Sequence, residues 1–219
     1  SLSSLINANC SAVCVVGNFK YLRKYLNKFI NQVRETGKFD GDIIVLTSFF
    51  NPTFLLRLSS KEKVKFIRFK KIKFDRLTNE SLSSLNTNGQ PNRHTYKNFQ
   101  WHKVHLFDEK LKNWSYVFYI DINMSIHKSI LPIIEKKPLE SLYANRDYHK
   151  NSIWQLKHQF DNTHHSFFQL EKDYDLSIKD YFQTGILFFD TNIINKSTTR
   201  DILKLVKKYP YSLTNEQAI

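Results

Sequence analysis

Cysteine, methionine, glycine and proline are all scarce in this chain, with 2, 1, 5 and 5 residues respectively among 219. The two cysteines, Cys10 and Cys14, cannot supply the four ligands of a structural zinc site or a framework of disulfides. Cys14 lies inside an apolar run, so we expect it to be a small buried side chain. The segment 16–19 contains a single glycine. One glycine is too few for a glycine-rich loop that binds phosphates, and this argues against a nucleotidyltransferase.

Long hydrophobic runs are also missing. No run of about 18 apolar residues occurs, so the sequence predicts no membrane-spanning helix. Residues 1–9 lack the basic start and the apolar stretch of a signal peptide. The lack of a signal peptide and of a membrane-spanning run favours a cytoplasmic location. The sequence gives no other indication of the location. The chain does not begin with Met, so truncation at one or both ends, with loss of a leader or an anchor, stays open.

Acidic residues are too few to balance the basic ones. There are 33 Lys and Arg against 20 Asp and Glu, a formal net charge of +13. Such an excess is compatible with nucleic acid, an anionic membrane surface or a small anionic substrate. Within the lysine-rich segment 61–73, charged and apolar residues partly alternate, which predicts a strand with one solvated face. No nucleic-acid-binding motif accompanies the charge, so nucleic acid is not an expected partner.

Strand and helix patterns alternate along the chain. Apolar and β-branched runs predict strands at 11–17, 42–47, 64–69, 116–120, 142–145 and 182–190. Helical spacing predicts helices at 20–36, ending before Gly37, at 99–111, at 130–135 and within 193–208. Four segments have less regular patterns. We interpret 51–58 as an ambiguous short helix and 77–98 as a long loop. We interpret 149–175 as a partly helical segment and 214–219 as the start of a helix. The alternation predicts an α/β fold with a mostly parallel central sheet flanked by helices, in one domain over residues 1–219.

The sequence Asp121-Ile122-Asn123 follows directly on the apolar strand at 116–120. Ligands of open α/β sheets bind beyond the carboxyl ends of strands. A carboxylate there, with a second oxygen two residues later, can hold a divalent cation and the phosphates bound to it. The alternative is a turn at the end of the strand, in which the Asp and Asn side chains cap the backbone.

Three further features accompany this motif in a fixed order along the chain. Lys103 lies in the helix before it, Gln183-Thr184-Gly185 opens a later strand, and Glu216-Gln217 opens the last predicted helix. Together they resemble the nucleotide-sugar glycosyltransferases of the GT-A fold, especially the glycogenin-like and galactosyltransferase-like families, over nearly the whole chain. The resemblance implies a Rossmann-like GT-A domain. It also implies transfer of a sugar from a nucleotide-sugar donor, a UDP-sugar foremost, to a hydroxyl of a glycan, a protein or a small molecule.

The same resemblance assigns roles to individual residues. It implies Mn²⁺ or Mg²⁺ held by Asp121 and Asn123, although the family usually has Asp where this chain has Asn123, whose amide oxygen brings no charge. The residues implied at the donor site are Asn18, Lys103, Asp121, Ile122, Asn123, Arg146, Gln183, Thr184 and Gly185. The implied catalytic residues are Asp147, Glu216 and Gln217, with Glu216 as a base for the acceptor hydroxyl or as a group that orients the donor.

Simpler interpretations stay open for several of these residues. Gly185 suits a bulge in a central strand, Glu216 suits the first turn of a helix through the helix dipole, and Lys103 suits a solvated face. The neutral Asn123 supports a second hypothesis for the whole chain, a glycosyltransferase-like module without catalysis. Such a module would bind glycans or nucleic acid through its basic face.

Overall fold

Six strands form one mixed sheet. The computed structural model describes residues 10–50, 52–57, 62–77, 99–146, 155–165, 167–178 and 181–209. The strands are β1 (Ser11–Val16), β2 (Asp42–Thr47), β3 (Val64–Arg68), β4 (Tyr116–Ile120), β5 (Leu142–Arg146) and β6 (Phe182–Asp190). All six predicted strands are confirmed, with differences of at most one residue at their ends.

The strand order in the sheet is β3-β2-β1-β4-β6-β5. β1 runs parallel to both β2 and β4, and β2 runs parallel to β3. β6 runs antiparallel to β4, with Tyr116 opposite Asp190 and Ile120 opposite Ile186. The predicted α/β class and mostly parallel sheet are therefore confirmed. The reversed direction of β6 was not predicted.

Within the described ranges, four α-helices accompany the sheet. They are α1 (Phe19–Asn31), α2 (Leu131–Ile134), α3 (Phe167–Asp173) and α4 (Thr198–Lys208). α1 continues into a π-helical segment, Gln32–Thr36, and the Gly37 N–H closes it on the Gln32 carbonyl at 2.7 Å, so the predicted stop at Gly37 is confirmed. None of the helices in the described ranges combines the length and the apolar character that a membrane crossing requires.

The segment predicted as a helix at 99–111 is mainly 3₁₀-helical, in two pieces, Trp101–Phe107 and Glu109–Asn113. Every residue of the first piece except the half-buried Lys103 is buried. The other 3₁₀ segments are Pro52–Leu55, Leu156–Gln159 and Thr191–Ile193. The loop prediction for 77–98 lies outside the described residues apart from its first position, and the helix start at 214–219 lies entirely outside them.

The chain divides into two compact units. The first comprises Ser1–Lys71, His105–Tyr143 and Gly185–Lys196, and the second comprises Ile72–Val104, Ala144–Thr184 and Ser197–Ile219. In the first unit, the apolar face of α1 contributes Leu22, Leu26, Phe29 and Ile30 to the main core. Burial of each such side chain stabilises the fold by about 1.5–3 kcal/mol. The predicted burial of Cys14 is confirmed, since its side chain is fully enclosed.

The second unit has smaller apolar clusters. One comprises Phe160, Phe167, Leu170, Leu176 and Tyr209, and another is formed by Trp101 and Val206. The carboxylate of Asp173 accepts hydrogen bonds from the Tyr209 hydroxyl and from Lys208 Nζ. These bonds connect the end of α3 to the end of α4, so this unit depends on polar contacts as well as on apolar packing.

His105 gives the first unit a predicted dependence of stability on pH. Its ring stacks on Phe69 with centroids 4.2 Å apart, and burial lowers the pKa of His105 from 6.5 to about 4. As the pH falls, the His105 ring is protonated in the unfolded chain before it is protonated in the folded chain. The contribution of neutral His105 to stability is therefore fully present above pH 6.5 and is lost as the pH falls toward 4. We expect a loss of about 1–2 kcal/mol at pH 5 from this group.

Urea unfolding at pH 7 and pH 5 measures this effect. His105→Gln removes the titrating group, so the difference in unfolding free energy between pH 7 and pH 5 should shrink by that amount. His127→Gln is the matched control, because that side chain is exposed. An equal pH dependence in the wild type and His105→Gln would contradict the prediction.

Candidate functional site

The candidate site lies where the order of the parallel strands reverses. From β1 the chain proceeds to β2 on one side, while β4 occupies the other side of β1. Asn18 follows the carboxyl end of β1, and Asp121 follows the carboxyl end of β4. Both therefore lie at the edge of the sheet where α/β folds bind their ligands, at the switch point between two neighbouring strands.

Close packing links the two strand ends. A Cβ placed on Gly17 would lie 2.7 Å from Leu22 Cδ2 and 3.8 Å from Ile122 Cδ1. The missing side chain thus allows α1 to start immediately after β1 and Ile122 to pack beside it. Ile122 is buried in the core of the first unit. Its predicted role at a donor site is therefore limited to its backbone.

Asp121 is held by contacts on both of its sides. The hydroxyl of Tyr119 donates a hydrogen bond to the Asp121 carboxylate. Tyr119 is buried, which raises the pKa of its phenol, so it remains a neutral donor. The Met124 N–H donates to the Asp121 carbonyl at 2.9 Å and closes a turn over 121–124. The carboxylate consequently has a defined position at the end of β4.

The reversed direction of β6 brings Gly185 beside this carboxylate. The Asp121 N–H donates to the Gly185 carbonyl at 2.8 Å. A Cβ on Gly185 would lie 3.5 Å from Asp121 Oδ2 and 2.7 Å from Met124 Cε. If β6 were parallel to β4, its first residues would lie at the opposite edge of the sheet. The antiparallel pairing is therefore what unites two motifs that lie far apart in the sequence.

Asn123 is exposed at the tip of the turn after β4. One carboxylate and one amide oxygen suit a hard cation that also takes phosphate oxygens from a ligand. They do not suit a cation held by protein alone. No cluster of three or more His, Cys, Asp or Glu side chains suited to a metal occurs within the ranges that the structure describes. The side chains present fit a cation shared with a bound diphosphate.

Asn18 has a structural role that the sequence analysis did not assign. Its Oδ1 accepts a hydrogen bond from the Tyr21 N–H at 2.9 Å, so Asn18 is the N-cap of α1. The amide group of the same side chain is also a donor. A capped Asn18 can therefore still offer a hydrogen bond to a ligand at the edge of the sheet.

The second unit contains four predicted donor-site residues. Lys103 Nζ donates to the carbonyl and to the hydroxyl of Thr184, both at 3.2 Å, and Thr184 is fully buried. Gln183 and Arg146 are exposed, near the start of β6 and at the end of β5 respectively. Lys103 thus stabilises β6 at Thr184, the residue that precedes Gly185.

The three predicted catalytic residues, Asp147, Glu216 and Gln217, lie outside the described residues. Their roles stay predictions. Sequence reasoning missed Tyr119, although the signal was present. Side chains two residues apart on a strand share a face, and the odd-numbered positions of β4 place Tyr119 on the face of Asp121, while Phe118 and Ile120 join the main core.

Comparison with known proteins gives matches in structure but not in sequence. No protein-family model and no curated protein sequence matches the chain. An active-site mutant of LgtC matches with a TM-score of 0.55 and 14% identity, over 90% of this chain and 64% of that one. The glycosyltransferase WbbM matches with a TM-score of 0.61 and 15% identity, over 96% of this chain and 36% of that one.

A fungal structure gives a similar result. Core-mannan synthase A (CmsA/Ktr4) from Aspergillus fumigatus, in its Mn/GDP form, matches with a TM-score of 0.60 and 10% identity, over 95% of this chain and 68% of that one. These proteins share one architecture with the chain over almost all of its length. The chain has the GT-A fold.

The GT-A fold accounts for the arrangement of the site. Its parallel strands end at the edge that carries Asn18 and Asp121, and its reversed strand supplies Gly185. The chain spans about two thirds of the LgtC structure and about one third of WbbM. At these identities the likeness establishes the fold, and the chemistry has to be argued from the residues.

Proposed function

We propose that this chain is a glycosyltransferase that moves a sugar from a nucleotide-sugar donor to a hydroxyl acceptor. The observation that carries the proposal is the placement of Asp121. Its carboxylate lies at the carboxyl end of β4, at the switch point of a GT-A fold, and is fixed by Tyr119 and by the backbone of Gly185. A fixed carboxylate at this edge suits the diphosphate end of a donor.

The proposed reaction exchanges one bond for another. The acceptor oxygen forms a bond to the anomeric carbon of the sugar, and the bond from that carbon to the diphosphate oxygen breaks. The nucleoside diphosphate leaves with the electron pair, and the proton of the hydroxyl passes to a base. Glu216 is our candidate for that base, with Gln217 and Asp147 beside the sugar, as the family resemblance implies.

Positioning and charge neutralisation supply most of the catalysis in this proposal. Asp121 and Asn123 would hold a divalent cation, Mn²⁺ or Mg²⁺, which neutralises the charge that builds on the leaving diphosphate. Asn18, Lys103, Arg146, Gln183 and Thr184 would shape the donor pocket, and Gly185 would leave room for the donor. CmsA/Ktr4 in its Mn/GDP form supports this cofactor assignment.

The donor is proposed to be a UDP-sugar or a GDP-sugar. LgtC is a galactosyltransferase solved with donor and acceptor sugar analogues, and the mannosyltransferase Ktr4p from S. cerevisiae was solved with GDP. The donor analogue of the first and the GDP of the second support a nucleotide-sugar donor. The acceptor is proposed to be a hydroxyl of a glycan, a protein or a small molecule.

A titration of donor binding tests the proposal. Calorimetry with UDP-sugars and GDP-sugars, with and without Mn²⁺, should give saturable binding of one nucleotide class that strengthens with the metal. A nucleoside monophosphate is the ligand control, because it lacks the diphosphate that the cation would bridge. Absence of binding by every nucleotide sugar, with and without metal, would overturn the proposal.

Asn123 supports a second candidate, a GT-A module that binds glycans or nucleic acid without catalysis. The amide contributes an oxygen ligand but no charge, which weakens a cation site. In that case a donor would bind weakly or not at all, while RNA or DNA binding would fall steeply with added salt.

Asn123→Asp should strengthen the proposed metal site. A second carboxylate adds a full negative charge beside Asp121, so we expect Mn²⁺ affinity in the presence of UDP or GDP to rise about tenfold. A Mn²⁺ titration followed by electron paramagnetic resonance measures it. Asn113→Asp is the matched control, because that exposed residue precedes β4 at the opposite edge of the sheet. Equal affinity of the wild type and Asn123→Asp would place the metal elsewhere.

A further inference from the structure

An exposed aromatic cluster lies beside the proposed donor site. It comprises Phe19 at the start of α1, Phe49 and Phe50 after β2, and Phe54 in the 3₁₀ segment Pro52–Leu55. Phe50 is 81% exposed and Phe54 is 65% exposed. Phenylalanine is usually buried in soluble domains. Exposed apolar side chains that cluster together therefore mark a surface that contacts a partner.

The rings of Phe19, Phe49 and Phe54 contact one another, and Phe50 follows Phe49 in the chain. These four residues are called the aromatic tip below. The ring of Phe19 lies 5.0 Å from that of Phe49 and 6.3 Å from that of Phe54. Interplanar angles of 35°, 40° and 66° relate the three rings. Because the rings are tilted, they do not offer the parallel faces on which successive nucleobases or sugar rings would stack.

α1 fixes the segment that carries this tip. Asn27 Nδ2 donates to the Leu55 carbonyl at 2.7 Å, and the Arg57 N–H donates to Asn27 Oδ1 at 3.0 Å. Positions 19, 23 and 27 share one face of α1, being four residues apart. Arg23 therefore projects from the same helix face as Phe19 and Asn27.

The charged residues in the segments that carry the tip have one sign. Arg23 and Arg57 are exposed, and the Arg68 guanidinium lies 5.2 Å from the centre of the Phe50 ring. The sequence contains no Asp or Glu from 11 to 34 or from 43 to 61. Exposed apolar side chains among exposed arginines are complementary to a bilayer with anionic headgroups.

We infer that the aromatic tip is a docking surface for an anionic phospholipid membrane. Phe50 and Phe54 enter the headgroup region, while Arg23, Arg57 and Arg68 contact the phosphates around them. The tip follows the carboxyl ends of β1 and β2, so docking would bring the edge of the sheet that carries Asn18 toward the lipid surface. This inference goes beyond the proposed transferase activity and does not depend on it.

Vesicle flotation with the full chain tests the inference. The probes are vesicles of phosphatidylcholine alone and vesicles with roughly one third phosphatidylglycerol. We expect binding to the anionic vesicles, weakened by added salt. Combined Phe50→Ser and Phe54→Ser should weaken it by about tenfold or more, because two apolar side chains no longer enter the bilayer. Phe168→Ser is the matched control, an exposed aromatic on α3.

The charge contribution is tested separately. Combined Arg23→Gln and Arg57→Gln should weaken binding to anionic vesicles by about tenfold and leave weak binding to neutral vesicles unchanged. Lys172→Gln with Lys204→Gln is the matched control, on α3 and α4. Unchanged melting temperatures would confirm that each variant is folded.

Three results would overturn the inference. One is the absence of anionic-vesicle binding by the wild type. Another is equal binding by the wild type and the double Phe variant, since charge alone would then explain it. The third is binding of a single-stranded oligonucleotide that the double Phe variant weakens by the same factor as vesicle binding, which would favour a nucleic-acid surface. Donor titration in solution gives an independent readout, so failure here leaves the proposed function untouched.

Discussion

Asp121→Asn is expected to lower the rate of sugar transfer about 10²- to 10³-fold, the range seen when one preorganised electrostatic group is lost from an active site. The substitution keeps the shape of the side chain and removes its charge. Of the two proposed ligands of the cation, Asp121 carries the charge, because Asn123 is neutral. Loss of the charge should therefore abolish the response to Mn²⁺ as well as slow the reaction.

The measurement is transfer or hydrolysis of the nucleotide sugar that binds in titration, over a range of Mn²⁺ concentrations. Asp201→Asn is the matched control, since that carboxylate lies on α4 and is half exposed beside Lys204. It should leave the rate unchanged. A rate for Asp121→Asn within a factor of about two of the wild type would remove Asp121 from the diphosphate site.

Tyr119→Phe separates the charge of Asp121 from its placement. The carboxylate remains but loses the hydroxyl that donates to it, so we expect a smaller loss, about tenfold, with the Mn²⁺ response retained. In the Asp121→Asn background the same change should have little further effect, because the two residues act as one unit. Additive losses would show that Tyr119 acts elsewhere.

The sequence was sufficient to predict the elements that have strong local signals. β1, β2 and β4 are nearly continuous apolar runs, as buried parallel strands are, and their predicted bounds agree with the structure to within one residue. The Asp that follows β4 was also predictable, because polar residues after such a strand lie at the ligand-binding edge. The strand–helix alternation at the start of the chain was enough to give the α/β class.

The direction of β6 was not predictable from local pattern. A buried central strand has the same apolar composition in either direction, so nothing within 182–190 distinguishes them. The direction depends on pairing with β4, where Phe118 faces Phe188 and Tyr119 faces Leu187. Without that information, Gly185 had a place in the site only through family resemblance.

The N-cap role of Asn18 was missed for a related reason. Asn before an apolar helical run predicts an N-cap, while Asn after a parallel strand predicts a ligand contact. Both patterns occur at one position because α1 begins immediately after β1. The local sequence cannot decide between an N-cap and a ligand contact, because one Asn side chain can make both.

Lys103→Met is expected to lower both stability and donor affinity. Lys103 Nζ bonds the carbonyl and the hydroxyl of Thr184, which is fully buried. Losing a charged donor from a buried carbonyl costs about 1–3 kcal/mol of unfolding free energy. If the same ammonium group also contacts the donor diphosphate, as the resemblance implies, donor affinity should fall about tenfold further.

Thr184→Val distinguishes the structural role of Lys103, its hydrogen bonds to Thr184, from its proposed contact with the donor diphosphate. Valine removes the hydroxyl that accepts from Lys103 but leaves the cation in place, so stability should fall and donor affinity should fall less than in Lys103→Met. Lys112→Met is the matched control, because Lys112 Nζ also donates to a backbone carbonyl, that of Ile194, at 2.9 Å. Urea unfolding and calorimetric donor titration provide the two readouts. If Lys103→Met and Thr184→Val lose donor affinity in equal measure, Lys103 acts only by holding β6, and the diphosphate is bound by other cations.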